Sequence, residues 1–172
     1  MSRWLGIKIK NRTKGFTLME LLVVIAIIGL LSGVVLVSLS SARAKARDAK
    51  RKTDLSQIQL ALEMYYDFSG VYPVVPGWWG ECDSFGSHAL SGSDGYVPNL
   101  APAYMAQLPL DPKGHNANGA GCCYLYYSNG VDYKVLAHCT PETGYLATDP
   151  FYDPVRPTGA WQVSTAAARS TW

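Results

Sequence analysis

Hydrophobic positions are concentrated in one block near the start of the chain. Residues 16–39 (FTLMELLVVIAIIGLLSGVVLVSL) number 24 and include a single ionisable side chain, Glu20. A membrane-spanning helix needs about 20 consecutive apolar residues, so this block predicts a membrane span. It is too long for the apolar region of an ordinary secretory signal, and no A-x-A-like cleavage site follows it. A buried helix of a soluble core is the alternative, but too little chain follows to cover it.

The helical pattern continues beyond the apolar block without a break. No Gly or Pro lies between Leu39 and Phe68, where Ala, Lys, Arg, Leu and Gln predominate. Gly70 and Pro73 then predict the end of the helix. We therefore expect one helix over residues 16–68, apolar at first and amphipathic later. Its later apolar arc is wide, which favours a helix partly covered by its own head and partly packed on other subunits.

Charge is distributed unevenly, although the net charge is only +2 and charged residues make up 16% of the chain. Residues 1–15 hold five basic groups and no acid, and a second basic run covers residues 43–52. Because basic residues flank the span on both sides, the positive-inside rule does not decide its orientation. The second run suits an anionic-lipid contact, a DNA-binding stripe or a solvated helix face. These figures argue against a basic nucleic-acid-binding domain and a polytopic membrane protein.

Glu20 is the unusual residue of the apolar block. A carboxylate in hydrocarbon is costly unless it is protonated or paired, and no basic side chain lies within the span. Cleavage after Gly15 would create an α-amino group at Phe16, which would supply the missing cation. The alternative is a Glu near the membrane edge that reaches the headgroups.

Residues 14–31 (KGFTLMELLVVIAIIGLL) resemble the class III signal of type IV pilins and type II secretion pseudopilins. The resemblance implies that an aspartyl prepilin peptidase cleaves between Gly15 and Phe16 and methylates the new amine of Phe16. It implies that Glu20 pairs with the Phe16 amine of a neighbouring copy during fibre assembly. It also implies that the chain crosses the cytoplasmic membrane once before assembly, with the basic leader in the cytoplasm and the head on the extracytoplasmic side.

The second part of the chain predicts a small antiparallel sheet after a loop region. Residues 70–110 are rich in Gly, Pro and Ser and predict loops with a short helix at most, covered by Trp78 and Trp79. Residues 108–114 (LPLDPKG) predict a turn and resemble the L-P-x-D-P-x-G segment that precedes the sheet of major pseudopilins and many simple pilins. Residues 144–148 are a candidate strand, and residues 150–172 predict a mobile or loosely docked tail.

Two Tyr- and Val-rich segments, residues 122–128 and 133–139, predict a hairpin around Asn129-Gly130-Val131-Asp132. A four-residue loop places its apolar residues on one face. The cross-strand pairs in this register are Ser128–Tyr133, Tyr126–Val135, Tyr124–Ala137 and Cys122–Cys139.

The four cysteines predict disulfides if the head lies outside the cytoplasm. We expect Cys122–Cys139 together with Cys82–Cys123, because pairing Cys122 with Cys123 requires a strained vicinal bridge. The other complete pairing stays open. A zinc site from the cysteines near His138 is the competing interpretation, but adjacent cysteines suit tetrahedral geometry poorly.

Candidate catalytic chemistry is sparse. No His lies in a G-x-S-x-G or H-E-x-x-H motif, and no phosphate-binding loop is present. We therefore expect no enzyme activity and no resident cofactor. The resemblance to major pseudopilins implies calcium as the one candidate ligand, with Asp111, Asn116 and Asn118 offering oxygen atoms at loop spacing.

Together these features predict an α+β protein with a pilin-like fold, in which a long N-terminal helix packs on a small antiparallel sheet. The predicted segments are a leader (1–15), the transmembrane half of the helix (16–41), its amphipathic half (42–69), a head (70–149) and a tail (150–172).

The expected function is that of a structural subunit of a type IV pilus, with a pseudopilin of a secretion or DNA-uptake system as the alternative. A signal-anchored enzyme or binding domain is a third. Expected partners are copies of the chain, prepilin peptidase, the inner-membrane assembly platform and, before assembly, the membrane. DNA binding and surface adhesion have no supporting motif.

Overall fold

One long helix and one antiparallel sheet make up the architecture. The computed structural model describes residues 15–114 and 121–172. Helix α1 covers Leu18–Ser69. The strands are β1 (Trp79–Gly80), β2 (Tyr124–Ser128), β3 (Tyr133–His138) and β4 (Ala160–Ser164), in the order β1-β2-β3-β4 with antiparallel neighbours. This arrangement confirms the predicted α+β, pilin-like class.

Helix α1 begins and ends close to the predicted residues. It continues through Gly29 and Gly33 without interruption. At its C-terminus Gly70 takes a left-handed conformation (φ 73°) and donates its N–H to Tyr66 O at 2.7 Å. A glycine in this position is the common way to end a helix, because it has no Cβ to oppose a positive φ.

The chain divides into two units, one ending at Ser40 and one covering Ser41–Trp172. In the first unit, α1 is long and apolar enough to cross a membrane. All the large apolar side chains from residue 16 to residue 31 are exposed, and they are Phe16, Leu18, Met19, Leu21, Leu22, Val23, Val24, Ile25, Ile27, Ile28, Leu30 and Leu31. The basic leader before Gly15 lies outside the described residues.

In the second unit, α1 packs on one face of the sheet. Its buried apolar positions recur at helical spacing and are Leu55, Ile58, Ala61 and Leu62. They share the main core with Tyr124 and Tyr126 of β2 and Val135 of β3. Alternate residues point to the other face, where Leu125 and Leu136 form a second apolar cluster.

The hairpin confirms the predicted register. Strands β2 and β3 pair with Ser128 opposite Tyr133, Tyr126 opposite Val135 and Tyr124 opposite Ala137. Asn129 closes the turn, because its side-chain oxygen accepts hydrogen bonds from the N–H groups of Val131 and Asp132.

The expectations for a third strand and a mobile tail are wrong. Residues 144–148 form no strand, and the strand next to β3 is instead β4, inside the segment predicted to be mobile. Trp161 and Val163 of β4 belong to the main core. Asp153 also lies in this tail; it is buried and accepts a 2.9 Å hydrogen bond from the buried Lys134 of β3. The tail is ordered because it completes the sheet and neutralises a lysine that the sheet buries.

Candidate functional site

The start of the helix is organised by Thr17 and Glu20. Thr17 donates its N–H (2.8 Å) and its hydroxyl (2.9 Å) to Oε2 of Glu20, and the Glu20 N–H donates back to Thr17 Oγ1 at 3.2 Å. This reciprocal pattern is a capping box, which satisfies N–H groups that the first helical turn leaves without partners. The T-x-x-E spacing of Thr17 and Glu20 is the sequence signal for such a box, although Glu20 was expected only to pair with an amine or to reach the headgroups.

The capping box leaves Glu20 with capacity for another contact. Within the described residues, every hydrogen bond that its carboxylate accepts goes to Oε2 and comes from Thr17. Oε1 therefore retains an exposed acceptor. Gly15 and Phe16 lie immediately before the helix, and both are exposed. The structure thus places the predicted cleavage and assembly residues together at the helix start, without testing the chemistry predicted for them.

A buried cluster of charges fastens the later part of α1 to the head. The guanidinium of Arg51 is fully buried. It donates from Nε and Nη2 to the two carboxylate oxygens of Asp111 at 2.7 and 2.9 Å. It also donates from Nη1 to Asp48 at 3.0 Å and to Glu142 at 2.7 Å. Burial alone would lower the pKa of Arg51, but Asp111 and Glu142 outweigh burial and raise it.

The segment around Glu142 meets the helix through a second set of contacts. Asp48 accepts hydrogen bonds from the N–H groups of Glu142 and Thr143 and from the Thr143 hydroxyl. Arg47 forms a two-pronged ion pair with Glu142. Contact with Arg47 lowers the pKa of Glu142 to about 2; burial opposes this shift and Arg51 adds to it. We call Asp48, Arg51, Asp111 and Glu142 the helix–head lock.

The helix–head lock corrects the interpretation of the basic run at residues 43–52. Arg47, Lys50, Arg51 and Lys52 pair with acids of their own chain, so this run is not simply a solvated face. Arg51 is one turn before Leu55 on the buried side of α1. Because residues four apart share one side of a helix, the buried position of Leu55 could have predicted that Arg51 is a buried cation.

Glu81 is a further buried carboxylate that the sequence did not single out. It accepts the Tyr124 N–H at 2.9 Å through both oxygens and lies near Asp111. Burial raises its pKa to about 7, although the hydrogen bond from Tyr124 opposes that shift. Glu81 therefore joins the first residue of strand β2, Tyr124, to Asp111 of the helix–head lock.

The calcium site that the resemblance implies stays a prediction, because two of its three candidate ligands are not among the described residues. Both carboxylate oxygens of Asp111 are occupied by Arg51, and Asn116 and Asn118 lie outside the described residues. Across residues 15–114 and 121–172, no group of three or more His, Cys, Asp or Glu side chains is arranged to hold a metal ion.

The cysteines form one of the two expected bridges. Cys82 and Cys123 are joined, which excludes Cys123 as a zinc ligand in this state. Cys122 and Cys139 are free thiols, so the expected bridge between them is not formed here and stays a prediction.

Comparisons with known proteins agree with this arrangement. The prokaryotic N-terminal methylation motif matches residues 10–36. The type II secretion system core protein G of Vibrio cholerae is 39% identical over 129 residues, covering 72% of this chain and 75% of that protein. The protein of the same name from Aeromonas hydrophila is 32% identical over 116 residues, covering 62% and 71%.

The chain belongs to the type IV pilin and pseudopilin family. No solved structure matches it significantly. The relatives are named as core proteins of a secretion system and not as enzymes. Its methylation motif contains Gly15, Phe16 and Glu20 and overlaps the apolar part of α1, which supports a membrane-anchored member of the family.

Replacing Arg51 tests the helix–head lock. Arg51→Ala leaves Asp48, Asp111 and Glu142 without their shared cation, and we expect it to lower the free energy of unfolding by about 3–5 kcal/mol. Urea unfolding of the full chain in detergent, followed by circular dichroism, measures the loss. Lys50→Ala is the matched control, because the half-exposed Lys50–Asp54 pair contributes only about 0.5 kcal/mol. Equal losses would contradict the lock.

Acid should weaken the contact between Glu142 and the helix. The folded pKa of Glu142 is lowered to about 2, whereas an unfolded Glu titrates near about 4.3. The lowered pKa of Glu142 therefore contributes on the order of 3 kcal/mol to the free energy of unfolding. This contribution is complete above about pH 4.5 and is lost as the pH falls toward about 2. Unfolding measured across this range should show a smaller acid loss in Glu142→Gln than in the native chain. Parallel curves would refute this role.

Proposed function

We propose that the chain is a structural subunit of a type II secretion pseudopilus. The observation that carries the proposal is the similarity to core protein G of Vibrio cholerae over 129 residues. The methylation motif covers only residues 10–36, so that similarity must extend well into the head. The motif is common to pilins and pseudopilins, but similarity in the head favours the secretion relatives. The expected type IV pilus subunit is therefore the less supported member of the same family.

Processing at the N-terminus prepares the subunit for assembly. Prepilin peptidase cleaves between Gly15 and Phe16 and methylates the new amine of Phe16. The leader is on the cytoplasmic side and the head on the outer side, as in the family that the motif identifies. The exposed position of Gly15 and Phe16, just outside the first helical turn, supports access to this peptide bond.

Polymerisation then uses the apolar helix and its single acid. The exposed apolar side chains from Phe16 to Leu31 lose contact with lipid and gain contact with neighbouring copies. Glu20 pairs with the Phe16 amine of a neighbour through the oxygen that the capping box leaves open. This pairing neutralises a charge that would be costly in an apolar environment. The inner-membrane assembly platform is the expected site of this exchange.

Within the second unit, the outer face of α1 offers an apolar surface of its own. Leu60, Met64 and Phe68 follow one another at four-residue spacing and are 64%, 51% and 85% exposed. Residues four apart lie on the same side of a helix. This stripe faces away from the sheet that covers Leu55 and Ile58. It supports the expectation that α1 is partly covered by its own head and partly by other copies.

Replacing Glu20 with Gln separates the role of its charge in assembly from its role in the capping box. Glu20→Gln removes the charge but retains an amide that also suits this position of a capping box. We expect normal cleavage and membrane insertion, with loss of fibres in electron micrographs of cells that overproduce the chain. Glu20→Ala should likewise be cleaved and fail to assemble.

Thr17→Val is the matched control for capping. It removes the Thr17 hydroxyl that accepts from and donates to Glu20, and it keeps the Glu20 charge. We expect fibres to form with this variant. Normal fibres with Glu20→Gln would contradict the pairing, and loss of fibres with Thr17→Val alone would assign the role to the cap instead.

Deletion of the gene distinguishes the two members of the family. In its native host, a strain without the chain should stop exporting proteins that depend on type II secretion and accumulate them in the cell. Its surface filaments should be unaffected. A strain that loses long surface filaments but exports these proteins normally would support a type IV pilus subunit and overturn the secretion proposal.

A further inference from the structure

Two thiols meet at the end of the hairpin where the β2–β3 ladder stops. Tyr124 lies opposite Ala137, and the His138 N–H donates to Cys123 O at 2.9 Å. Continuing this register by two pairs, through Cys123 and His138, brings Cys122 opposite Cys139. The Cys139 thiol donates to the carbonyl oxygen of Gly121, the residue directly before Cys122, at 3.8 Å. Opposed residues of an antiparallel pair have Cα atoms about 4.5–5.5 Å apart, which lies within the range that a disulfide spans.

Cys139 is held in a special position by its neighbours. Its backbone is left-handed (φ 67°), which is uncommon for a residue with a Cβ. Its N–H donates to Gly159 O at 3.0 Å, and its Sγ lies 3.4 Å from His138 Nδ1. In the tautomer that leaves Nδ1 unprotonated, this nitrogen is within reach to take the thiol proton. Cys139 is itself only partly buried, which leaves this residue accessible to a small reagent.

We propose that Cys122 and Cys139 are a redox-active dithiol that closes into a second disulfide by exchange with an external disulfide. The oxidant is a small-molecule or protein disulfide, and its two sulfur atoms are the electron acceptors. Oxidised glutathione is the small probe of this class.

The exchange takes place in two balanced steps. Cys139 loses its proton to His138 and its Sγ attacks one sulfur of the oxidant, which forms a mixed disulfide and releases the first thiol. Cys122 then attacks Cys139 Sγ, which forms the intramolecular bond and expels the second thiol. Two protein thiols are oxidised and one external disulfide is reduced to two thiols.

The order of attack follows from the surroundings of the two sulfur atoms. Cys139 is half-buried and contacts His138, whereas Cys122 is buried. Burial raises the pKa of the Cys122 thiol to about 12, and the neighbouring Cys139 adds to this shift. Because the thiolate is the nucleophile, Cys139 attacks first and Cys122 resolves the mixed disulfide.

Closure of the bridge would restrain the segment that holds the helix. Thr140 follows Cys139 directly and is fixed by hydrogen bonds to Ala137 O and from the Trp161 N–H. Glu142 and Thr143 come next and donate their N–H groups to Asp48 of α1. A covalent link at Cys139 therefore stabilises the start of the segment that carries Glu142, one of the two head acids of the helix–head lock. The dithiol is independent of the proposed secretion role.

Mass spectrometry of the full chain in detergent tests the dithiol. After incubation with oxidised glutathione, the native chain should lose two free thiols and the mass of two hydrogen atoms. Trypsin cuts after Lys134, so the peptides that contain Cys122 and Cys139 should remain linked until a reductant is added. A persistent glutathione adduct on the native chain, or two thiols that stay unmodified, would overturn the proposal.

Single variants test the order of the steps. Cys122→Ser should stop at a stable glutathione adduct on Cys139, and Cys139→Ser should react much more slowly, because its remaining thiol is buried. Equal rates for the two variants would overturn the assigned order. The double variant Cys82→Ser, Cys123→Ser keeps only the proposed pair and should still form the link. Failure to form it in a folded double variant would overturn the pairing.

Hydrogen exchange tests the consequence for the helix–head lock. In the oxidised native chain, the amides of Glu142 and Thr143 should exchange roughly tenfold more slowly than in the reduced chain. Cys122→Ser under the same conditions is the control and should show no such slowing. Unchanged exchange in the native chain after the bridge has formed would overturn the effect on the lock.

Discussion

The apolar side chains from Phe16 to Leu31 are exposed along the first part of α1, and no described residue of the chain covers them. Each square ångström of apolar surface removed from water contributes about 25 cal/mol, so such a segment stays in lipid or packs on other copies. The capped helix start, the single acid and the motif around the cleavage residues all lie within or beside this segment. Membrane anchoring and assembly are therefore two consequences of one surface.

The second unit solves a different physical problem, which is to attach a small sheet to one side of a helix. Apolar contacts around Leu55 and Ile58 supply the bulk of the interface. The helix–head lock fixes the orientation of the head on α1, because Arg51 contacts Asp111 and Glu142, which lie on two separate segments of the head. A buried guanidinium with fixed donor geometry tolerates few alternative arrangements. The outer stripe of α1 stays exposed as a result.

Periodicity predicted the parts of the fold that depend on local sequence. The long helix lacks Gly and Pro after Leu39, and the hairpin loop sets which side chains share a face; both were predicted within about two residues. Arg51 was misjudged: the helical period could have placed it on the buried side of α1, but the acids that neutralise it are 60 and 91 residues away in sequence. Strand β4 was missed because its pairing with β3 and the Lys134–Asp153 ion pair join residues that are far apart in sequence. The T-x-x-E capping signal was local and could have been found.

The most direct test of the account is the structure of the assembled fibre by cryo-electron microscopy, at a resolution that shows side chains. The account predicts that each Glu20 carboxylate lies within about 4 Å of the processed Phe16 amine of a neighbouring subunit, with the apolar part of α1 at the centre of the fibre. A fibre in which Glu20 contacts only Thr17 of its own subunit, with the Phe16 amine held elsewhere, would contradict the account.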